Sequence, residues 1–299
     1  MNATAIEALL RFARYAELAD DQLDLAEGAL LIAELAYPGL SHSRYQRQLD
    51  KLAGEVRDEL GLAGGETLAP ATAGGRPCAE RTLAALREVL AGREGFHGNP
   101  QEYYEPQNSF LNDVIDRRTG LPITLSVVYI EVAQRIGAPL VGVGLPAHFV
   151  VKWPLEAEEG GDLFIDAFNG GEIMDTALCR RFVARLMSAH MGGPLSDARW
   201  FEPVSARALL TRMLNNLKQV YLHEGATVQA LEVVDRLVVL RPDLPMELRD
   251  RGLLRLACGE PLLAAADIAA YAKHAPDAPE LGRLRRRLNE LTETRAKLN

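Results

Sequence analysis

The sequence predicts an α+β protein in which a small antiparallel sheet lies between two helical regions. Three patterns along the 299 residues support this prediction. Apolar residues recur at helical spacing up to about residue 92, alternate at strand spacing between residues 140 and 168, and follow a 34-residue repeat after residue 206. The predicted domains are a helical leader over residues 1–95, a mixed core over 96–200 and a repeat region over 206–299.

The composition argues against several classes of protein. Hydrophobic residues make up 48% of the chain, and 41 acidic against 33 basic residues give a formal net charge of −8. This balance offers no basic patch for nucleic acid or for an anionic membrane. Cys78, Cys179 and Cys258 lie too far apart for a paired motif, and no signal peptide or membrane span is recognisable. We therefore expect a soluble cytoplasmic protein.

The leader is predicted to contain two helices that each bury one apolar stripe. The Gly- and Pro-rich segment 61–78 separates them and is predicted to be a loop. The members of each stripe are three or four residues apart, which is the spacing of one helix face. The first stripe is Tyr45, Leu49, Leu52, Val56 and Leu60, and the second is Leu83, Leu86 and Leu90.

A further helix is predicted in "GLPITLSVVYIEVAQRIGAP", residues 120–139. Pro122 suits its first turn, because the missing N–H would have no intrahelical partner at that position. Gly137 and Pro139 are typical of a helix end. A short helical piece is expected just before it, over residues 109–117.

The next region predicts three strands, "LVGVG", "HFVVKW" and "LFIDAF". The acidic, Gly-containing segment 154–162 is expected to join the last two strands as a hairpin, and "GGEIMD" after the third strand is expected to be a turn. With the hairpin centred near residue 157 or 158, His148 on the second strand and Asp166 on the third come close to opposite each other.

The C-terminal region carries the signature of tetratricopeptide repeats. A small residue where two helices cross and a proline at the close of each unit recur at an offset of 34 residues. A last helix is expected to cap the stack, with its arginine run as a solvated face or, alternatively, as a site for an acidic partner. The repeated residues are Gly225, Ala230 and Pro242, then Gly259, Ala264 and Pro276, and the capping leucines are Leu281, Leu284, Leu288 and Leu291.

The pairing of His148 with Asp166 could carry chemistry. An Asp beside a His fixes the tautomer of the ring, which makes the two residues the base and orienter half of a nucleophilic triad. On spacing alone, a structural hydrogen bond is the commoner role for such a pair.

The segment "GNPQEYYEPQNSFLNDVIDRRTGLPITLSVVYIEVAQRIGAPLVGVGLPAHFVVKW", followed by "FIDAFNGG", resembles the SirB1 family. Such proteins join a helical leader and a transglutaminase-like (papain-like) core to C-terminal tetratricopeptide repeats. The resemblance spans nearly the whole chain and is most specific from Phe96 to Gly171. It implies that His148 and Asp166 occupy the positions of the catalytic base and its orienter.

The same resemblance implies that the nucleophile is absent. In the transglutaminase pattern a Cys lies two residues after the glycine at the helix start, and Pro122 occupies that position here. Ser126 lies one turn further along the same helix face and is expected to be a packing residue, whereas Thr124 is rotated away. Cys179 could approach only through tertiary folding, and a buried thiol is expected.

The favoured interpretation is a non-catalytic pseudoenzyme of the bacterial cytoplasm that binds or scaffolds a protein or peptide partner through its repeats. By the resemblance, Tyr104, Asn108 and Asn169 are expected to contact a ligand in a cleft beside His148. The histidines have no metal-ligand spacing, so neither a metal nor a cofactor is expected. The alternative is a hydrolase or acyl transferase that acts on amide bonds through a non-standard nucleophile such as Ser126.

Overall fold

A computed structural model of the chain describes residues 3–63, 66–68, 75–190, 198–284 and 286–288. These residues form two compact units, and each unit combines segments that are distant in sequence. The mixed unit, which contains the four-stranded sheet, takes residues 20–33 and 40–210. The repeat unit takes the residues before 20, residues 34–39 and the residues after 210. The three predicted domain boundaries stay predictions.

The elements are mostly helical, as the fold prediction requires. The helices are α1 (Ala3–Ala16), α2 (Leu25–Ala33), α3 (His42–Leu60), α4 (Gly75–Leu86), α5 (Leu111–Arg117), α6 (Pro122–Arg135), α7 (Thr176–His190), α8 (Ala206–His223), α9 (Thr227–Leu240), α10 (Pro245–Ala257) and α11 (Pro261–His274). The strands are β1 (His97–Gly98), β2 (Thr119–Gly120), β3 (Val141–Val143), β4 (Val150–Trp153), β5 (Leu163–Asp166) and β6 (Glu172–Asp175).

Helix α3 forms where the sequence predicts it. All five residues of its predicted stripe are buried, so the predicted packing face is confirmed. The helix ends at Gly61, whose backbone φ of 68° is in the left-handed region that glycine tolerates. Its N–H bonds to the carbonyl of Asp58, and the next N–H, of Leu62, reaches the carbonyl of Arg57.

Helix α4 begins earlier than the sequence predicts. It starts at Gly75, inside the segment predicted to be a loop, and the chain continues beyond it as a π-helix over Arg87–Arg93. The three leucines of the predicted second stripe are all buried. Residues 64–65 and 69–74 of the predicted loop lie outside the described residues.

Helix α6 lies at the centre of the mixed unit. Every residue from 122 to 133 is buried, and a helix that is buried on all sides belongs to the middle of a core. Pro122 is its first residue, as predicted, and Gly137 follows its end with φ of 78°. The N–H of Leu121, the residue before α6, donates a hydrogen bond to the carbonyl of Asn108 and fixes the start of the helix.

The predicted antiparallel sheet is present and has one strand more than expected. Its order is β3-β4-β5-β6, and all neighbours are antiparallel. The prediction that "GGEIMD" is only a turn is wrong, because Glu172–Asp175 pairs with β5 as an edge strand. A second pair, β1 with β2, is parallel and brings Gly98 beside Gly120, close to the start of α6.

The repeat unit confirms the predicted helix pairs. Gly225 and Gly259 close the turns between α8 and α9 and between α10 and α11 with φ of 71° and 77°. Ala230 and Ala264 are fully buried, as expected for small residues at helix crossings. Of the predicted capping leucines, Leu281 and Leu284 are buried and Leu288 is partly buried, whereas Leu291 lies outside the described residues.

Helix α1 is part of the repeat unit and packs on α9. The ring of Phe12 is fully buried, and the guanidinium of Arg236 lies 5.9 Å from its centroid. Within the described part of the chain, no helix has the length and apolar character needed to cross a membrane.

Candidate functional site

His148 and Asp166 contact each other in the mixed unit. The Nε2 atom of His148 lies 2.8 Å from Oδ2 of Asp166, and both side chains are buried. Asp166 lies on the third strand, as the sequence predicts, and is the last residue of β5. His148 is not on a strand, because β4 begins two residues later at Val150. The strands pair Val151 with Ile165, so the hairpin is centred on residue 158.

Asp166 accepts hydrogen bonds on both carboxylate oxygens. Oδ2 accepts from His148 and from the side-chain amide of Asn169 at 2.8 Å, while Oδ1 accepts the backbone N–H groups of Phe168 and Asn169 at 3.1 and 3.2 Å. Burial alone would raise the pKa of Asp166, but the bond and charge of His148, together with the bonds from Asn169, lower it below its ordinary value. The carboxylate is therefore ionised and fixed in direction.

The ring of His148 is held between aromatic side chains. It makes edge contacts with Phe168 at 6.0 Å and with Phe182 of α7 at 5.1 Å between ring centroids. The residue before it, Ala147, has φ of 53°, a left-handed conformation that costs a non-glycine residue about 1 kcal/mol or more. The surrounding packing thus holds His148 on a strained turn, and strain of this kind is commoner at functional sites than elsewhere.

Phe168 links His148 to Tyr103 and to the predicted ligand contact Tyr104. Its ring lies 6.4 Å from that of Tyr103, which in turn lies 5.6 Å from Tyr104. The same ring covers Gly98, where an added Cβ would come within 2.4 Å of it. Tyr104 is half exposed and three ring contacts away from His148 along this path.

The three predicted ligand contacts differ in their surroundings. Asn108 is fully buried, and its amide is used within its own loop, where it donates to the carbonyl of Glu102 at 2.7 Å and accepts from Asn99 at 3.4 Å. Asn169 is exposed but directs its amide to Asp166. Tyr104 is half exposed at the outer end of the aromatic path. Ligand binding by all three residues stays a prediction.

The start of α6 carries Pro122, Thr124 and Ser126, and all three residues are buried. Pro122 is buried, and the Ser126 hydroxyl, also fully buried, donates to the carbonyl of Pro122 at 2.8 Å. The Ser126 hydroxyl thus satisfies a carbonyl of its own helix, four residues earlier. The hydroxyl of Thr124 is fully buried and has no hydrogen-bond partner in the described structure.

Cys179 lies in an apolar cluster. The thiol, on α7, packs among buried residues of the sheet and of α7 itself, such as Phe164, Met174 and Val183. Burial, with a smaller contribution from the negative charge of Asp166, raises its pKa to about 12. At neutral pH this thiol is protonated and is a poor nucleophile.

Tyr129 is a member of the site that the sequence did not predict. Its hydroxyl is buried without a hydrogen-bond partner in the described part of the chain, and burial together with the charge of Asp166 raises its pKa. An added Cβ on Gly171 would lie 3.2 Å from this hydroxyl, and the N–H of Gly171 bonds to the carbonyl of Asp166. The available signal was spacing, since position 129 lies three residues after Ser126 on α6.

No group of three or more His, Cys, Asp or Glu side chains in the described residues has a geometry that could hold a metal ion. The chemistry that the site offers is therefore an ionised Asp166, an oriented imidazole and the buried hydroxyl of Tyr129. Nε2 of His148 is engaged by Asp166, so this ring nitrogen is used within the site.

Comparisons with known proteins identify the family of the chain. Residues 43–215 match the Transglutaminase-like superfamily. The chain belongs to this superfamily. Residues 217–289 match a tetratricopeptide repeat family. The predicted SirB1-type organisation, a transglutaminase-like core followed by tetratricopeptide repeats, is confirmed.

Two bacterial relatives align with the transglutaminase-like chain over nearly its full length. A UPF0162 protein of Xylella fastidiosa (strain 9a5c) is 35% identical over 280 residues, which cover 92% of each chain. A UPF0162 protein of Vibrio cholerae is 27% identical over 276 residues, which cover 91% of this chain and 94% of the relative. F-box only protein 21 of Mus musculus is 32% identical over 151 residues, which cover 48% of this chain and 22% of the relative. No solved structure gives a significant match.

Proposed function

We propose that this transglutaminase-like protein is a cytoplasmic binding or scaffold protein that performs no covalent catalysis. The observation that carries the proposal is the state of the nucleophile position. Pro122 fills the start of α6, where a transglutaminase-like enzyme carries its Cys, and proline has no group that could attack a substrate. The binding function is assigned to the repeats, because helix repeats of this kind present extended surfaces to partner proteins.

The two candidate substitutes for the missing thiol support the same proposal. The Ser126 hydroxyl donates a hydrogen bond to a helix carbonyl, and Cys179 is a protonated thiol in an apolar cluster. Activation of either residue would need a base within hydrogen-bond reach and a path for the substrate. A core that keeps His148 and Asp166 without an activated nucleophile is suited to holding a ligand or to structural support.

A turnover assay tests the proposal. The purified full chain is incubated with a glutamine-containing protein and a fluorescent primary amine, and separately with a fluorogenic peptide pool. His148→Ala is the matched variant. We expect no product above the rate of this variant. A turnover that His148→Ala abolishes, in protein that remains folded, would show that the core is an enzyme.

The second candidate function is a hydrolase or acyl transferase for amide bonds. The observation in its favour is the complete set of hydrogen bonds on Asp166, which fixes its carboxylate as an orienter for His148. This function needs a nucleophile other than residue 122. Labelling of Ser126 by a fluorophosphonate reagent, absent in Ser126→Ala, would identify that nucleophile, whereas the scaffold proposal expects no labelling.

A further inference from the structure

The repeat unit contains a groove of about 390 Å³ between α9, the end of α10 and the start of α11. Most of the side chains that line it are apolar or acidic. The apolar ones include Val228, Leu231 and Leu263, and the acidic ones are Glu232, Asp235 and Glu260. All of these residues belong to the one compact unit.

The apolar part of the groove continues onto the surface. Val228 is 59% exposed and Leu263 is 50% exposed, and the adjacent Leu262 is 81% exposed. Exposed aliphatic residues that adjoin a cavity indicate an interaction surface rather than a pocket that a small molecule would fill by itself. On α9 the residues of the groove fall at positions 228, 231, 232 and 235, which is the spacing of a single helix face.

Asp235, one of the three acidic residues that line the groove, is paired with arginines of the same unit. Asp235 lies 3.4 Å from Arg251 and 3.5 Å from Arg255. Both arginines also bind Asp267 at 2.7 Å, so these two arginines and two aspartates cancel in charge. Arg255, the basic side chain that lines the groove, is therefore fully engaged by carboxylates of its own unit.

The net negative charge of the groove comes from Glu232 and Glu260. Neither carboxylate forms an ion pair within the described part of the chain, and the guanidinium of Arg236 bonds to the backbone carbonyl of Glu232 instead of its side chain. Burial raises the pKa of Glu232 more than nearby positive charges, that of Arg236 first among them, lower it. A half-buried carboxylate of this kind gains from a cation supplied by a partner.

We propose that this groove binds a peptide segment of a partner protein in which basic side chains alternate with leucine-sized apolar ones. The apolar side chains contact Val228, Leu231 and Leu263, and a lysine or arginine reaches Glu232. A second basic residue reaches Glu260 at the edge. The inference rests on the proposed binding function and names the surface and the chemistry of the partner.

The test begins with a displayed library of random 12-residue peptides selected on the immobilised full chain. The enriched peptides are synthesised with a fluorophore, and their affinities are measured by fluorescence anisotropy at low and high salt. We expect enrichment of lysine or arginine beside leucine, isoleucine, methionine or phenylalanine. We also expect weaker binding as salt rises, because the charge contacts are at the surface.

Matched variants locate the site. Glu232→Gln and Leu263→Ser should each weaken the selected peptide about tenfold, as expected for contacts near the centre of an interface. The controls Glu224→Gln and Leu222→Ser change the same residue types at positions outside the groove and its apolar rim, and should alter affinity less than about twofold. Bound peptide should also slow alkylation of Cys258, whose side chain lines the groove.

Three outcomes would overturn the inference: no enriched peptide, enrichment of acidic peptides, or peptides whose affinity survives both groove variants. The last outcome would leave the binding function in place and move it to another surface. Conversely, turnover that depends on His148 would overturn the non-catalytic proposal without affecting peptide binding that depends on Glu232. The two failures are therefore distinguishable.

Discussion

Oδ2 of Asp166 accepts a hydrogen bond from Nε2 of His148 over 2.8 Å, and both side chains are buried. His148 lies just before β4, and Asp166 is the last residue of β5, so the two side chains meet at the open end of the hairpin. The contact therefore depends on correct strand register. It persists in a chain whose helix α6 begins with a proline. The contact expected of the base and its orienter is thus present, whereas the position at which the nucleophile is expected holds a proline.

Asp166→Asn should destabilise the protein in a pH-dependent way. The folded-state pKa of Asp166 is lowered, so its contribution to stability is fully present above the unfolded-state pKa, near 4, and is lost as pH falls through the folded-state value. At pH 7 we expect a loss of about 1–3 kcal/mol in the free energy of unfolding, because charge-assisted bonds from His148 and Asn169 disappear.

Urea unfolding of the parent and of Asp166→Asn at pH 7, 5 and 3 measures this effect. The difference between the two proteins should shrink towards pH 3. Asp277→Asn, at an exposed position, is the control and should change stability by less than about 0.5 kcal/mol at each pH. An equal loss in the free energy of unfolding for Asp166→Asn at pH 7 and pH 3 would contradict the conclusion that Asp166 is ionised and stabilising at pH 7.

Cys179 should resist alkylation in the folded protein. Its thiol is fully buried and its pKa is raised to about 12, so the reactive thiolate is scarce at pH 8. Iodoacetamide treatment followed by peptide mass spectrometry should modify Cys78 in the native state, and Cys179 only after unfolding. Rapid native modification of Cys179 would show that its apolar surroundings open, and would weaken the case against it as a nucleophile.

Pro122→Cys should restore a thiol whose pKa is below the ordinary value. The helix N-terminus favours a negative charge at this position, and an imidazolium at His148 would favour it further. Thiolate absorbance near 240 nm, measured against pH in a chain lacking Cys78 and Cys258, reports the value. Adding His148→Ala should raise it. A thiol pKa that does not respond to His148→Ala would mean that residues 122 and 148 do not form a catalytic arrangement.

Gly98→Ala should disturb the aromatic path to His148. An added Cβ would lie 2.4 Å from the ring of Phe168, so the ring must move or the backbone must shift. We expect a loss of about 1–3 kcal/mol in the free energy of unfolding, the usual cost of overpacking. Gly54→Ala is the matched control, because its new Cβ meets nothing within 4 Å and alanine favours the helix. A neutral Gly98→Ala would indicate that the loop adjusts freely.

Patterns local in sequence account for the parts of the fold that were predicted. The α3 stripe follows from its spacing of three and four residues, and the repeat follows from the 34-residue offset of Gly225 and Gly259. The contact between His148 and Asp166 could be predicted because the length of a hairpin loop determines the register of its strands. Its centre at residue 158 agrees with the later of the two predicted positions.

Long-range packing accounts for what the sequence did not predict. The edge strand β6 is only four residues long and has acidic residues at both ends, so its pattern resembles a turn. The parallel pairing of Gly98 with Gly120 involves two residues on each side, too few for any periodicity. Tyr129 belongs to a helix that is buried all round, where the pattern cannot distinguish a site residue from a core residue.

The isolated segment 206–299 should be less stable than the same helices in the full chain. Two repeats and a cap fall short of the three repeats usually needed for independent stability, and the segment lacks α1, which packs on α9. Without α1, the guanidinium of Arg236 loses its contact with Phe12. A thermal melt of the fragment by circular dichroism should therefore be broad and should begin below the transition of the full chain.

In the full chain, Phe12→Ala should lower the free energy of unfolding by about 3–5 kcal/mol, as large-to-small changes in a core do. Ile6→Ala, at a position 44% exposed on the same helix, should cost much less. A sharp, high-temperature melt of the fragment, or a Phe12→Ala variant as stable as Ile6→Ala, would mean that α1 does not stabilise the repeats.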